Sequence, residues 1–191
     1  MDTVSGSRVH DRLVRIEETL SPAAMRASAI GELDALFREG AAPEPPPEGF
    51  LRGRLITMSV TRPSDALVRG LARLYMPWLG KAFDAATQSG VNVLTPSARR
   101  PMKVLWPKYS PERELLDRIE AFPFRTRIDA GAVDPGLNVL KIDYDFEANP
   151  DFLIRRILDE LVQVDENLYL GKILFRRASG WTPIGFFSLE K

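Results

Sequence analysis

The chain contains no cysteine and a single histidine, His10. The lack of cysteine excludes disulfide bonds, a thiol nucleophile and thiolate metal ligands. A zinc site needs several convergent ligands, and a serine–histidine triad needs a histidine beside its nucleophile. Because His10 lies among charged residues, off the apolar stripe of its helix, we interpret it as a solvated residue and predict no metal site.

The common nucleotide-binding signatures are also missing. The sequence has no Gly-x-x-x-x-Gly-Lys-Ser/Thr loop and no Gly-x-Gly-x-x-Gly fingerprint, which are the glycine-rich elements that cradle phosphates. We therefore expect no nucleotide and no other cofactor. If the chain is an enzyme, its acid, base or electrophile must be Asp, Glu, Lys, Arg or Tyr in a desolvated pocket.

Charge of one sign and long apolar runs are both lacking. The chain has 26 basic residues (Lys and Arg) and 26 acidic residues (Asp and Glu). Because these charges balance, no overall electrostatic field attracts nucleic acid, and we expect no such partner. The start lacks a basic segment followed by an apolar run, and no window approaches the roughly 18 apolar residues of a membrane span. These features predict a cytoplasmic protein without a membrane span.

What the sequence does contain begins with two amphipathic helices and a proline-rich segment. The first helix is predicted from Ser7 to Leu20, and the second begins at Ser21-Pro22 and stops at Gly40. Five residues of the segment 41–49 are proline or glycine, which favours an extended linker. We therefore divide the chain into a helical segment with its linker, 1–48, and a β-barrel domain, 49–191, within one globular unit.

The last third of the chain predicts a three-stranded antiparallel meander, 158–190, with turns at 165–167 and 178–180. In its middle strand both alternating faces are apolar. One face carries Leu170 and Lys172, and the other carries Tyr169 and Phe175. A sheet with one wet face would alternate more cleanly, so we expect one face to line a barrel core and the other to be covered by the N-terminal helices.

Strand-like segments dominate the middle of the chain, with short helices between them. The predicted strands are 50–60, 78–85, 91–95, 102–106, 124–130 and 137–146, the last two forming a hairpin. Helices are predicted from Pro63-Ser64 to Pro77 and from Ser110-Pro111. The segment 150–160 favours either a helical turn or a strand. The fold class that follows is α+β, predominantly an antiparallel β-barrel.

Lys81 is the most suggestive chemical candidate. As a regular strand, 78–84 would place Lys81 between Leu79 and Phe83, on the face opposite Trp78. A buried lysine must be paired with a carboxylate or be functional, and Asp159 or Glu160 could be its partner; a surface lysine with a buried stem is the alternative.

Two further basic positions raise the same question. Lys172 lies between Leu170 and Leu174; directed inward it would mark a polar contact in a cavity, and directed outward a surface charge. Arg52, beside Arg54, could bind a carboxylate or phosphate of a ligand, or be solvated.

Several short motifs resemble one family. The opening Gly-x-Trp-x-Gly element of lipocalin-like (calycin) small barrels resembles the segment Gly49-Phe-Leu-Arg-Gly-Arg54. An uncharacterised bacterial group of such barrels has a Trp-x-Gly-Lys-x-Phe stretch, which resembles Trp78-Leu-Gly-Lys-Ala-Phe83. The segments 164–167, 170–171 and 185–190 are similar to the last strands of that group. Leu51 stands where the signature tryptophan is expected. The resemblance implies a barrel that encloses a small apolar molecule, without heme, since His10 precedes the barrel.

Three functions are therefore carried forward. The first is binding of a hydrophobic ligand in a cavity of several hundred cubic ångströms by the usual pocket range. Its candidate contacts are Trp78, Phe83, Tyr144, Tyr169, Phe175 and Phe187 on the wall, with Arg52 and Lys172 as polar contacts. The second is an isomerase or cyclase that uses Lys81 with Asp159 or Glu160 as acid and base. The third is an interaction module, such as a homodimer paired through the meander.

Overall fold

The computed structural model describes residues 3–20, 26–58 and 77–191. Within them, three α-helices and nine strands follow one another along the chain. The helices are α1 (Thr3–Leu20), α2 (Arg26–Glu39) and α3 (Arg99–Leu105). The strands are β1 (Gly49–Met58), β2 (Trp78–Asp84), β3 (Ser89–Leu94), β4 (Arg113–Glu114), β5 (Ile119–Ala130), β6 (Asn138–Asp143), β7 (Ile157–Asp165), β8 (Leu168–Arg177) and β9 (Gly180–Glu190). The helix predicted between Ser64 and Pro77 and the helix start at Ser21-Pro22 lie outside the described residues.

Eight of these strands close into an antiparallel barrel. The order around it is β1, β2, β3, β5, β6, β7, β8 and β9, and β9 pairs with β1 to close the ring. The two-residue strand β4 pairs only with the start of β5. The predicted fold class is confirmed, because the chain forms an α+β protein whose main element is a closed antiparallel barrel.

The C-terminal meander has the two buried faces that its pattern predicts. Strands β7, β8 and β9 pair in sequence order, with turns at 166–167 and 178–179. On β8, Tyr169 and Phe175 belong to the core inside the barrel, whereas Leu168 and Leu170 belong to a second core beneath the helices. Helices α1 and α2 pack on the outside of β7, and α2 also reaches β8. The prediction of a sheet covered on both sides is confirmed.

The second core fixes the helices on the barrel through apolar contacts. Phe37 of α2 is fully buried and meets Phe186 of β9 edge to face, with ring centroids 6.5 Å apart. Leu13 and Ile16 of α1 bury the stripe predicted from their spacing. Full burial of one such side chain stabilises a fold by about 1.5–3 kcal/mol, so this layer contributes substantially to stability.

A β-bulge at the start of β2 changes which residues face the barrel interior. Trp78 pairs with Leu94 and Gly80 with Val93, so β2 carries one extra residue at this point. As a result Trp78 and Lys81 point to the same side, and the prediction that they lie on opposite faces is wrong. The bulge depends on Gly80, whose φ is +149° and whose missing Cβ would lie 2.0 Å from the Leu51 carbonyl oxygen.

Two local predictions are wrong at one end of the barrel. Residues 102–105 belong to α3 and not to a strand, and Met102 and Trp106 share one side because they are four residues apart on a helical turn. No helix begins at Ser110-Pro111; Arg113 and Glu114 instead pair with β5, and Leu116 is exposed. Pairing to the barrel edge overrides the local helical pattern there.

Candidate functional site

A buried ion pair crosses the interior of the barrel. Lys81 projects from β2 and Asp159 from β7, and the distance from Lys81 Nζ to Asp159 Oδ2 is 2.9 Å. Both side chains are fully buried. Of the two partners predicted for Lys81, the structure therefore places Asp159 beside it. Two charges are kept in an apolar interior only when they are paired and hydrogen-bonded.

Tyr144 and Asn92 extend the pair into a hydrogen-bond network. Lys81 Nζ donates to Asn92 Oδ1 at 2.9 Å and to the Tyr144 hydroxyl oxygen. The Tyr144 hydroxyl donates to Asp159 Oδ2 at 3.0 Å. Trp78 Nε1 also donates to Asn92 Oδ1, at 3.2 Å. The network therefore joins β2, β3, β7 and the segment after β6.

Aromatic rings surround the Lys81 ammonium group. Its Nζ lies 5.2–5.4 Å from the ring centroids of Trp78, Phe124, Tyr144 and Phe187, a distance at which a cation is attracted to a ring face. Burial lowers the pKa of Lys81 below its ordinary value, although the charge of Asp159 and its hydrogen bond act in the opposite direction. The site therefore holds a lysine that gives up its proton more easily than one in water.

An apolar pocket lies next to this network, at the barrel end where β2 and β7 begin. Its polar lining groups are Asn92 and Tyr144, and the other lining residues are Trp78, Leu94, Phe122, Ile154 and Ile157. The free volume of the pocket is about 20 Å³, which is room for about one water molecule. The prediction of an interior cavity of several hundred cubic ångströms lined mainly by the aromatic candidates is therefore wrong, because only Trp78 and Tyr144 of that set line this small pocket. A larger molecule would have to displace side chains.

One carboxylate oxygen in the network has no hydrogen-bond partner. Asp159 Oδ2 accepts from both Lys81 and Tyr144, whereas the fully buried Oδ1 accepts from no group. Asp159 follows the pocket-lining Ile157 by two residues on β7, so both side chains point into the barrel. A buried acceptor without a donor is costly, so this oxygen is a point where a ligand or water would gain a hydrogen bond.

The structure places the predicted wall residues inside the barrel. All six aromatic candidates belong to the interior core: Trp78, Phe83, Tyr144, Tyr169, Phe175 and Phe187. Trp78 and Tyr144 also line the pocket beside the Lys81–Asp159 pair. Phe83 and Tyr169 line two larger openings elsewhere on the barrel, of about 340 and 280 Å³. Phe175 and Phe187 pack within the interior core.

Two predicted polar residues, Arg52 and Glu160, lie outside the interior. Arg52 is exposed on β1. Glu160 faces the outer side of β7, where it accepts a hydrogen bond from the Ala132 amide at 2.6 Å, and burial raises its pKa. It is not the partner of Lys81, because neighbouring residues on a strand point to opposite faces.

Lys172 is neither in the cavity nor on the surface. Its side chain points outward from β8 but is buried beneath α2, with Nζ 2.7 Å from Asp34 Oδ1 and 2.6 Å from Asp134 Oδ2. Its Nζ also lies 4.3 Å from the centroid of the Phe37 ring. Because α2 covers this outward-pointing lysine, the side chain is buried and links α2 to the β5–β6 turn.

Sequence reasoning missed part of this site. Asn92 lies in an apolar strand, Val-Asn-Val-Leu, and a polar residue at such a position is a signal for an interior network. The remaining missed lining residues are Leu94, Phe122, Ile154 and Ile157. Nothing in the sequence distinguishes these from ordinary core residues.

Comparison with known proteins leaves the family open. No protein-family model matches the chain, and no curated protein matches it. A solved structure of a protein from Thermomonospora curvata is similar, with 20% sequence identity, 87% of this chain and 86% of that chain covered, and a TM-score of 0.48.

The described residues contain no group of three or more His, Cys, Asp and Glu side chains that could hold a metal ion. Within the same ranges, no helix is long and apolar enough to cross a membrane.

Proposed function

We propose that the protein binds a small, mostly apolar molecule inside the barrel, without a cofactor. The observation that carries this proposal is an apolar pocket that meets a fully buried Lys81–Asp159 pair through Tyr144 and Asn92. Ligand sites are commonly apolar concavities with a few convergent polar groups that orient the ligand. The ligand's apolar part would lie among Trp78 and the aliphatic lining residues, and its polar group would reach the network.

Backbone strain next to the pocket supports a functional site there. Phe122, which lines the pocket, has a φ of +53°, and Leu153, which precedes the lining residue Ile154, has a φ of +74°. A non-glycine residue in this region costs on the order of 1–3 kcal/mol, and such residues cluster at binding and active sites. The small free volume implies that the ligand displaces side chains, and Ile154, in the short 3₁₀ turn Ile154–Arg156, is the one we expect to move.

A direct test compares the protein as purified from its host with two substituted forms. Native mass spectrometry should detect a bound small molecule, and ligand-observed NMR should detect saturable binding of hexan-1-ol or toluene. Ile154→Phe, which fills the pocket, should abolish both signals. Leu116→Phe, at a fully exposed position between β4 and β5, should preserve them. Absence of any saturable binding to the folded wild-type protein would overturn the proposal.

A second candidate, an isomerase or cyclase, is favoured by the position of the Tyr144 hydroxyl. It lines the pocket and contacts both Lys81 Nζ and Asp159 Oδ2. A hydroxyl between a lysine of lowered pKa and a carboxylate can pass a proton to or from a bound molecule. Tyr144 would then act on the substrate, with Lys81 and Asp159 behind it. Turnover of an apolar substrate that Tyr144→Phe abolishes while binding persists would favour this candidate over simple binding.

The third hypothesis, pairing of the meander with another subunit, has less support, because α1 and α2 of the same chain already cover its outer face. A homodimer would have to use another surface. A strict monomer in light scattering would contradict this third hypothesis.

We also propose that the chain belongs among lipocalin-like barrels near the Gly-x-Trp-x-Gly group. The closed barrel supports this, as does the motif itself: Leu51 points into the interior at the position of the signature tryptophan. The Trp78 ring covers Gly53, whose Cβ, if present, would lie 2.4 Å from the ring. The division at residue 48 and a cytoplasmic location stay predictions.

A further inference from the structure

We infer that the interior site selects a ligand that offers an uncharged hydrogen-bond donor, such as a hydroxyl group, and discriminates against carboxylates. This inference rests on the proposed binding function and specifies the ligand's polar group. It follows from the hydrogen-bonding capacity that the network leaves unused.

The Lys81 ammonium group has no hydrogen left for a ligand. It has three N–H donors, and the structure gives it three acceptors: Asn92 Oδ1, the Tyr144 hydroxyl oxygen and Asp159 Oδ2. Neither Lys81 nor Asp159 lines the pocket, so the polar group of a ligand would reach either residue only by displacing a side chain. A ligand carboxylate would therefore find no free N–H of Lys81 to bind.

The other donors at the pocket floor are also used. The amide nitrogen of Asn92 has two hydrogens, and it donates to the Phe122 carbonyl oxygen at 3.1 Å and to the Tyr144 hydroxyl oxygen at 3.3 Å. The single hydrogen of the Tyr144 hydroxyl goes to Asp159 Oδ2. Trp78 Nε1 donates to Asn92 Oδ1. Each of these donors therefore already has an acceptor inside the protein.

The capacity that remains is an acceptor, Asp159 Oδ1. A ligand hydroxyl or N–H could donate to it and remove the cost of a buried oxygen without a partner. A carboxylate would instead place a second negative charge near Asp159 in an interior where the Lys81–Asp159 pair is already neutral. An ether of the same size would fill the pocket but leave Oδ1 unsatisfied. The network thus ranks an alcohol above both an ether and a carboxylate.

Three matched probes test this ranking on the wild-type protein: hexan-1-ol, its isomer 1-methoxypentane, and hexanoate. Dissociation constants at pH 7 from ligand-observed NMR should be about tenfold lower for the alcohol than for the other two, which is the range expected when a buried polar group is left unpaired. Equal affinity for alcohol and ether would overturn the inference while leaving the binding proposal standing. If no probe binds saturably, the binding proposal fails and this inference fails with it.

Asp159→Asn supplies an independent check. Because Lys81 and Tyr144 both donate to one oxygen of Asp159, the asparagine carbonyl should take that place, and its NH₂ group should replace Oδ1. The free acceptor then becomes a donor, so we expect the alcohol to lose its tenfold advantage and hexanoate to bind more tightly than in wild type. Asp117→Asn, at an exposed position, should leave the ranking unchanged. An unchanged ranking in a folded Asp159→Asn protein would contradict the inference.

Discussion

Lys81 Nζ lies 2.9 Å from Asp159 Oδ2 inside a closed barrel, and neither side chain is exposed to solvent. The two residues are 78 positions apart in the chain and come from strands on different sides of the ring. Their meeting requires the bulge at Gly80, which turns Lys81 inward together with Trp78. The stability of the barrel therefore depends on keeping this pair together.

Lys81→Met should destabilise the protein strongly. The substitution leaves the Asp159 carboxylate buried without its cation, a change that costs roughly 3–5 kcal/mol in other buried pairs. Urea unfolding followed by far-UV circular dichroism measures this loss. The double variant Lys81→Met/Asp159→Leu removes both charges and should recover most of it. A single variant that loses less than about 1 kcal/mol would contradict a buried, charged pair.

Gly80→Ala should be far more damaging than an alanine substitution at another glycine. A Cβ at position 80 would lie 2.0 Å from the Leu51 carbonyl oxygen, and the backbone φ of +149° is unfavourable for alanine. We expect a loss of about 3 kcal/mol or more. Gly31, exposed in α2 with nothing within 4 Å of its Cβ position, is the control; Gly31→Ala should stabilise by about 0.5–1 kcal/mol. Similar thermal midpoints for the two variants would refute the role of the bulge.

Glu160→Gln should change how stability depends on pH. Burial raises the pKa of Glu160 in the folded protein above its ordinary value of 4.5. Between 4.5 and the folded pKa the native state binds more protons than the unfolded state, so this residue makes stability fall as pH rises through that window. The glutamine variant should lack this fall, and its stability relative to wild type should increase with pH above 4.5 and be constant below.

Urea midpoints between pH 4 and pH 8 measure this difference. Glu166→Gln, at an exposed position in the β7–β8 turn, should show no such trend. A pH-independent difference between wild type and Glu160→Gln would mean that burial does not control the titration of Glu160.

Lys172→Met should loosen α2 from the barrel. Lys172 Nζ links Asp34 of α2 to Asp134 of the β5–β6 turn, and hydrogen bonds to charged groups contribute about 1.5–3 kcal/mol. In this variant the rate of amide hydrogen exchange should increase more in α2 than in the barrel strands. Lys141→Met, which removes a buried lysine that pairs with Asp129 instead, should leave α2 protected. Equal exchange of α2 in both variants would argue against the link.

The sequence by itself determined the elements with strong periodicity. The apolar stripe through Leu13 and Ile16 predicts α1, and the two apolar faces of 168–177 predict a sheet buried on both sides, because each periodicity can be satisfied by only one type of backbone and one orientation. For a buried Lys81 the sequence also predicts either a carboxylate partner or a functional role, since an unpaired buried charge is too costly; a surface position of Lys81 stayed open. These inferences depend on local spacing and on the energy of burial alone.

Only the tertiary structure decided which residues meet. The bulge at Gly80, which depends on the approach of Leu51 from another strand, reversed the predicted relation of Trp78 and Lys81. The same holds for the choice of Asp159 over Glu160, since a shift of one residue exchanges the two faces of a strand. Lys172 became buried because α2, more than 130 residues earlier in the chain, lies over it. Long-range contacts of this kind leave no periodic signal, so the interior network could be assembled only from the folded barrel.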